Sequence, residues 1–248
     1  MRLNYFEMLK HKIINVLHYK PYEFKRNYLS KEYICGTGIE IGALNSPLKV
    51  YNKAKVKYVD WLKEKELREQ FPELDKIKIK EPDIIDDGET LSRIQDDSQD
   101  FVIANHFFEH CENPIKTFEN FLRVLKSDGI IFLAVPDKRL TFDKNREITP
   151  LEHLIRDYEE GPEWYVKEHY KDWVINVLDK HGQSIDESVE ELMRQNYRIH
   201  FHVWTYIDLL KLFIYLKEKR NFNFEIEEFA MNPSKVECIF IFRKGKEA

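Results

Sequence analysis

The sequence is poor in the residues that make cross-linked, fibrous or membrane-spanning proteins. Its 248 residues hold three cysteines, Cys35, Cys111 and Cys238, far apart and in no CxxC pair. Thiols so spaced build no disulfide framework, and they suit a reducing compartment. Eight glycines and nine prolines are too few for a collagen-like or mucin-like chain. No apolar run approaches the about 18 residues needed to cross a bilayer. The opening stretch MRLNYFEMLKHKIINVL is interrupted by Glu7, Lys10, His11 and Lys12, so it offers no signal-peptide core. A cytoplasmic location is expected. A basic excess is also missing: 39 Lys and Arg face 44 Asp and Glu, for a net charge of −5, which argues against a dedicated nucleic-acid binder.

What is present suits a packed core with an aromatic-lined cleft: 43% hydrophobic and 14% aromatic residues. The length predicts one core carrying a sizeable insertion. Charge is uneven. Residues 1–33 hold Arg2, Lys10, Lys12, Lys20, Lys25, Arg26 and Lys31 against Glu7, Glu23 and Glu32, a local +4 that leaves −9 elsewhere. That segment reads either as a solvated helix face or as a surface for an anion.

Along the chain, Phe6, Leu9, Ile13, Val16 and Leu17 recur at helical spacing. Gly38–Gly42 reads as a strand ending in a glycine turn, and Lys57–Asp60 as a second strand with an acid at its carboxyl end. A polar helix is expected from Trp61 to Phe71, closed by Pro72, and a brief third strand at Asp83–Ile85 runs into Asp86-Asp87-Gly88. Phe101–Ala104 is apolar throughout, as a strand buried on both faces should be. Asn113-Pro114 is a helix start, Ile115, Phe118, Leu122 and Leu125 mark its buried face, and Ile130–Val135 forms a fifth strand. Residues 137–200 then break the rhythm with a helical, polar and aromatic pattern. A helix from Thr205 to about Lys219 follows, and Phe224–Phe229 and Val236–Phe242 close the chain as strands around Asn232-Pro233-Ser234. Alternating strands and helices of this kind predict an α/β fold with a Rossmann-like, doubly wound, mostly parallel seven-stranded sheet, an antiparallel edge hairpin and a helical insertion. The expected divisions are an N-terminal helical segment (1–33), a cofactor-binding half (34–136), an acceptor-binding insertion (137–200), and a helix plus edge hairpin that complete the sheet (201–248).

Ligands of such sheets bind beyond the carboxyl ends of the strands. Here those ends carry Glu40–Ala43, Asp60-Trp61, Asp86–Gly88, Asn105-His106 and Pro136-Asp137, a polar arc with acids at three successive strand ends. Each residue also has a purely structural reading: Glu40 as a satisfied strand acid, Asp60 as a helix cap and Asp87 as a turn former.

The runs GIEIGALNSPL, VKYVDW, DIIDDGETL, DDSQDFVIANHFFEH and LRVLKSDGIIFLAVPDKR, spanning residues 38–139, resemble the class I S-adenosylmethionine-dependent methyltransferases. They look most like a small bacterial branch linked to surface-glycan assembly, and TFDKNREITPLEHLIRDYEEG and IHFHVWT extend the likeness more weakly. The resemblance implies S-adenosylmethionine as cofactor and S-adenosylhomocysteine as product. It places Glu40 near the methionine amino group, over the turn of Gly42 and Ala43. Asp60 falls on the ribose hydroxyls with Trp61 packed beside them. Asp87 and Gly88 fall on the adenine, and Asn105 and His106 face the sulfonium. One departure is that Leu44-Asn45 replaces the family's usual second glycine. The crossover Ala43–Lys55 is also short and contains Pro47, so its helix should be abbreviated.

Three rival readings remain. Gly36–Gly42 superficially matches a dinucleotide fingerprint, but two of its glycines precede the strand. His106-Phe-Phe-Glu109-His110 spells an inverted zinc-peptidase motif, yet it straddles a strand end. The third reading is a non-catalytic partner on the methyltransferase fold, against which the intact Glu40, Asp60 and Asp87 argue. His200-x-His202 with His106 or His153 also fits a divalent-metal site, but the pattern favours a substrate-binding or catalytic role and no metal is assigned. The insertion offers Lys138, Arg139, His153, Arg156, Asp157 and Tyr158, which suits a small polar acceptor. The candidate bases or acceptor-binding residues are His106, Asp137, His153, His200 and His202. The expected reaction is O-methylation of a sugar, sugar nucleotide or small phosphorylated metabolite in surface polysaccharide biosynthesis.

Overall fold

A computed structural model describes residues 21–70, 76–182, 184–232 and 236–246. The helix expected around Phe6–Leu17, the closing Pro72 and the turn residues Pro233 and Ser234 lie outside them.

Seven strands form one sheet: β1 (Thr37–Ile41), β2 (Lys55–Asp60), β3 (Ile84–Ile85), β4 (Gln99–Asn105), β5 (Leu125–Pro136), β6 (Phe224–Asn232) and β7 (Glu237–Lys244), in the order β3-β2-β1-β4-β5-β7-β6. The first five are mutually parallel, and β7 runs antiparallel to both its neighbours. The expected Rossmann-like sheet with an antiparallel edge hairpin is therefore present.

Phe101–Ala104 of β4 and Ile130–Val135 of β5 are buried throughout, because both faces of the sheet are covered. Successive side chains alternate between the faces. Ile39, Ile41, Val102, Ala104, Ile131 and Leu133 join a core with helices α3 (Pro114–Val124) and α7 (Tyr206–Lys219). Phe101, Ile103, Ile130 and Phe132 face the other way, against Leu29 of α1 (Pro21–Tyr33) and Ile34. Asn113 caps α3 by accepting from the Lys116 N–H at 3.1 Å, and Pro114 occupies the first turn, where its missing donor costs nothing. Thr205 and Asp208 form a reciprocal capping box on α7.

Several boundaries differ from the sequence reading: β2 starts at Lys55 rather than Lys57, β4 spans Gln99–Asn105, and β6 runs on to Asn232 rather than stopping at Phe229. Strand β5 begins at Leu125 rather than Ile130, through an irregular pairing in which Leu125 meets Gln99 before the register resumes at Phe101–Ile130. Helix α2 (Glu64–Gln70) starts at Glu64 rather than Trp61, and Phe71 lies outside the described residues. The crossover between β1 and β2 holds no helix at all. Pro47 lacks an N–H, and the Leu48 N–H, which a helix would use internally, is donated to the Glu40 carboxylate at 2.8 Å.

After β5 the chain leaves the sheet through two short 3₁₀ turns, Lys138–Leu140 and Phe142–Asn145. It then forms α4 (Leu151–Glu160), α5 (Val166–Asn176) and α6 (Ser184–Arg194). Tyr170, Trp173, Val174, Val189, Ile199 and Phe201 give α5 and α6 a small core of their own, while Leu154 of α4 packs on the main core. An extended segment, residues 199–205, returns the chain to α7. No helix among the described residues is long and apolar enough to cross a membrane.

Candidate active site

Two cavities open beyond the carboxyl ends of β1, β2 and β4. The larger, about 430 Å³, lies between the strand ends and the helical insertion. It is bounded by Asp60, Trp61, Asp87 and Gly88 on one side and by Phe142, Trp173, Arg198 and His200 on the other. The smaller, about 300 Å³, is lined by Arg26, Glu40, Ala43, Asn45 and Asn105. Gly42, Leu44 and His106 border both.

Glu40 comes from the middle of β1 and is 1% exposed. Its Oε1 accepts from Leu48 N at 2.8 Å and, at 3.5 Å, from Asn105 Nδ2, while Oε2 has no hydrogen-bond partner among the described residues. Burial pushes its pKa up to about 7, against the smaller lowering effect of those two bonds. Asp60, at the end of β2, is raised to about 6 by burial and receives only backbone donors, Trp61 N at 2.9 Å among them. Asp86 is consumed internally: it accepts from Asp87 N, Ser92 Oγ and Arg93 N and so shapes the loop. Asp87 accepts from Glu89 N at 2.7 Å, so it does form a turn, yet its carboxylate still borders the large cavity. Gly88 is required by packing, since a Cβ there would come within 2.5 Å of Ile41 Cγ2 and 2.6 Å of Phe107 Cζ. Gly42 sits at φ +61, where a side chain would strain the backbone between the two cavities.

His106 follows β4 in a left-handed conformation (φ +52), held by donation of its N–H to Ala134 O at 2.8 Å. A non-glycine residue at such a φ is uncommon and clusters at functional sites. Its Nε2 lies 2.8 Å from Glu237 Oε2 and its Nδ1 3.7 Å from Glu109 Oε1. Burial would lower its pKa, but the bond to Glu237 and the charge of Glu109 outweigh that and raise it. Glu237, the first residue of β7, also accepts from Arg26 Nε at 2.9 Å, from Arg26 Nη2, and from Asn232 Nδ2 at 2.6 Å. These donors overcome its burial and hold its pKa at about 2.

The far wall is built on Arg146, whose guanidinium is buried between Asp143, Asp172 and the His200 carbonyl. His200 Nδ1 meets Asp143 Oδ2 at 2.8 Å. Burial raises the Asp143 pKa, but His200 and Arg146 together bring it below the ordinary value. Arg198 reaches across to the strand-end side, 3.2 Å from Glu89 and 3.7 Å from Asp87, with its guanidinium 5.4 Å from the Trp61 ring centroid. Beneath His200 lie His110, lowered to about 3 by burial, and Glu109, raised by burial, with neither carboxylate oxygen of Glu109 hydrogen-bonded among the described residues.

Every residue placed on the cofactor by the sequence, Glu40, Gly42, Ala43, Asp60, Trp61, Asp87, Gly88, Asn105 and His106, lines one or both cavities. The five candidate bases divide. His106 and His200 face the large cavity. Asp137 is buried, and its carboxylate is taken by Arg139 and by the Tyr206 N–H. His153 and His202 lie in a separate cluster with His169. The H-x-x-E-H string does not lie on a helix: His106 ends a strand, Phe108–His110 is a 3₁₀ turn, and Glu237 already meets His106 Nε2. Sequence reasoning missed Arg26, Glu89, Arg198, Phe142, Trp173 and Glu237. Alternation along the extended run Arg198-Ile-His200 was a signal that Arg198 shares the His200 side. Nothing local announced that Arg26 and Glu237, 211 residues apart, would meet.

Residues 34–133 match the family described as "Methyltransferase domain". Among solved structures, one from Rhodobacter sphaeroides that carries the name of a zinc-dependent alcohol dehydrogenase is 15% identical, covers 92% of this chain and 90% of its own, and has a TM-score of 0.54. One from Methanococcus maripaludis, named as an S-adenosylmethionine-dependent methyltransferase, is 14% identical over 92% of this chain and 86% of its own, with a TM-score of 0.47. A Haloferax volcanii complex of a methyltransferase with its activator is 13% identical over 96% and 94%, with a TM-score of 0.48. At these identities the likeness is one of fold and not of substrate. No curated protein sequence matches the chain. The domain match, over residues 34–133, supports methyltransferase activity with S-adenosylmethionine as the cofactor. The strand-end arc suits that cation: a buried carboxylate oxygen without a donor at Glu40 and an under-bonded acid at Asp60 both gain from positive charge nearby.

Proposed function

We propose that this S-adenosylmethionine-dependent methyltransferase methylates an oxygen of a polar acceptor (a sugar, sugar nucleotide or small phosphorylated metabolite) in the cytoplasm, as a step in surface polysaccharide biosynthesis. The observation that carries the proposal is the His200–Asp143 pair, 2.8 Å apart, on the cavity wall opposite the acidic strand ends. The sugar class is supported by the mixed lining of Phe142, Trp173 and Arg198, which offers ring faces and one cation. The glycan link is supported by the resemblance of the runs that contain Phe142, Asp143 and His200.

In this reading Glu40 Oε2 takes the methionine ammonium, with Gly42 and Ala43 beneath it. Asp60 takes the ribose hydroxyls, Trp61 packs beside them, and Asp87 and Gly88 meet the adenine. Asn105 and His106 border the sulfonium. When bound, the cofactor supplies a methyl carbon already attached to its leaving group. The chain must therefore align an acceptor oxygen and remove its proton. Asp143 fixes the His200 ring through Nδ1, so Nε2 is the nitrogen left to accept the hydroxyl proton as the oxygen–methyl bond forms. His106 is held toward its protonated form by Glu237 and Glu109, so it acts as a hydrogen-bond donor and not as the base. Arg198, which already faces Glu89, Asp87 and Glu112, is the guanidinium that an acceptor phosphate would share with those carboxylates.

The test is a screen of sugar nucleotides and phosphorylated sugars for S-adenosylhomocysteine production. On an accepted substrate, His200→Ala should lower kcat by about 100-fold or more with cofactor affinity retained, and Asp143→Asn by somewhat less. Full turnover in His200→Ala would remove the base assignment, and turnover confined to apolar acceptors would overturn the substrate class.

A further inference from the structure

Behind the cavity wall, between α4, α5 and the extended segment 199–205, lies a second histidine cluster that the reaction does not use. His153 and Asp157 stand one turn apart on one face of α4, His169 comes from α5, and His202 follows His200 by two residues. His153 Nε2 is 3.2 Å from His169 Nε2 and 3.3 Å from Asp157 Oδ2, and His202 Nε2 is 3.7 Å from the same Asp157 oxygen. A ring nitrogen of each of the three histidines lies within 4.8 Å of the others. Asp157 and His202 are each 1% exposed, and Asp157 Oδ2 and His202 Nδ1 have no hydrogen-bond partner among the described residues.

We propose that His153, His169 and His202, with Asp157 beside His153 and His202 as the fourth ligand, form a structural zinc site. Tetrahedral zinc with ligand bonds near 2.0–2.1 Å separates its ligand atoms by about 3.3 Å, which is the spacing of the closest pairs in this cluster. Hydrogen bonding within the cluster accounts for it less well. Two imidazole nitrogens facing each other share at most one proton, and a proton on Asp157 would serve His153 while leaving His202 Nδ1 bare. Burial lowers His153 to about 4 and His169 to about 3, and it holds His202 well below its ordinary value, so all three present neutral rings with lone pairs at neutral pH. Asp157, raised to about 7 by burial, would regain its charge beside a dication. The supporting contacts also suit a metal site: Trp164 Nε1 donates to Asp157 Oδ1 at 2.8 Å, and His202 Nε2 lies 3.2 Å from the Glu112 carbonyl, which leaves the unpartnered His202 Nδ1 as the nitrogen for the metal. Four protein ligands leave no open position, which makes the site structural. It would pin α4 and α5 to the segment that presents Arg198 and His200 to the cavity.

The experiment is zinc uptake by the full chain, supplied with zinc alone after chelator treatment and dialysis, with cobalt as a spectroscopic substitute. The expected result is about one zinc per chain, a tetrahedral cobalt absorption band, and a Tm that falls with chelator and recovers with zinc. Asp157→Asn and His169→Ala should weaken metal binding by about tenfold or more. His200→Ala and Glu109→Gln should leave it intact, which separates this cluster from Glu109, His110 and His200 nearby. Absence of uptake, an octahedral cobalt spectrum, or loss of metal in His200→Ala with retention in Asp157→Asn would each overturn the proposal. The wild-type cobalt spectrum decides the matter even where a variant fails to fold.

Discussion

Two glutamates stand on either side of His106, both fully buried and with opposite electrostatics. Glu237 collects Arg26, His106 and Asn232 and is held at about 2; Glu40 collects one short backbone bond and one long amide contact and sits at about 7. Burial acts on both in the same direction, so the difference lies in the donors. The Glu237 side is finished within the fold and works as an anchor. The Glu40 side is unfinished and gains most from a cation that the chain does not supply.

That contrast can be broken most forcefully at the anchor. Glu237→Ala strands the Arg26 guanidinium in the interior and should cost about 3–5 kcal/mol in urea unfolding. A loss no greater than that of a surface substitution would mean that the anchor is not one. Because Glu237 is held below its ordinary value, its contribution is fully present above pH 4.5 and is lost as pH falls toward 2. Glu237→Gln should accordingly flatten the acid side of the stability profile.

At the other glutamate the expected effect is on binding. Glu40→Gln should weaken S-adenosylmethionine by about 10- to 100-fold in calorimetry while leaving the urea midpoint unchanged or slightly raised. A drop in stability with affinity preserved would make Glu40 a second structural acid. A smaller effect sharpens the same point without a mutation. A carboxyl near pKa 7 must release its proton to meet an ammonium, so affinity should rise about tenfold from pH 6 to pH 8, with proton release on binding. Glu40→Gln should remove most of that slope, leaving the part due to Asp60 at about 6. The smallest change is expected from Asp60→Asn, which keeps one acceptor for a ribose hydroxyl and should loosen the cofactor by about three- to tenfold.

The sheet was legible because its central strands are unbroken apolar runs, as at Phe101–Ala104, and because acids and glycines mark the strand ends. Those same ends line the two cavities, so the residues proposed to hold the cofactor were legible with the fold. The crossover after β1 was harder to read, since whether Leu48 N serves a helix or the Glu40 carboxylate depends on a side chain eight residues away. Arg26 could be seen only as one of seven basic residues in the first 33, and Glu237 only as an acid beside a strand. Their meeting depends on strand order, which periodicity does not encode. The wall histidines were named, but their partition was hidden. Alternation puts His200 and His202 on the same side of an extended chain, whereas the structure sends His200 to Asp143 and the cavity and His202 to His153, His169 and Asp157.

The position of β7 has a consequence in time. It is made after the other six strands of the sheet, yet it fills the slot between β5 and β6. Until residues up to Lys244 have emerged, β6 has no neighbour to pair with and the outer edge of β5 stays bare, an edge prone to wrong pairing. Glu237 arrives with that strand, so His106 and Arg26 wait for their shared carboxylate until synthesis has passed it. A nascent chain can thus assemble the strand ends of β1, β2 and β4 well before it can seat His106 against Glu237, and that part of the cavity lining comes late by construction.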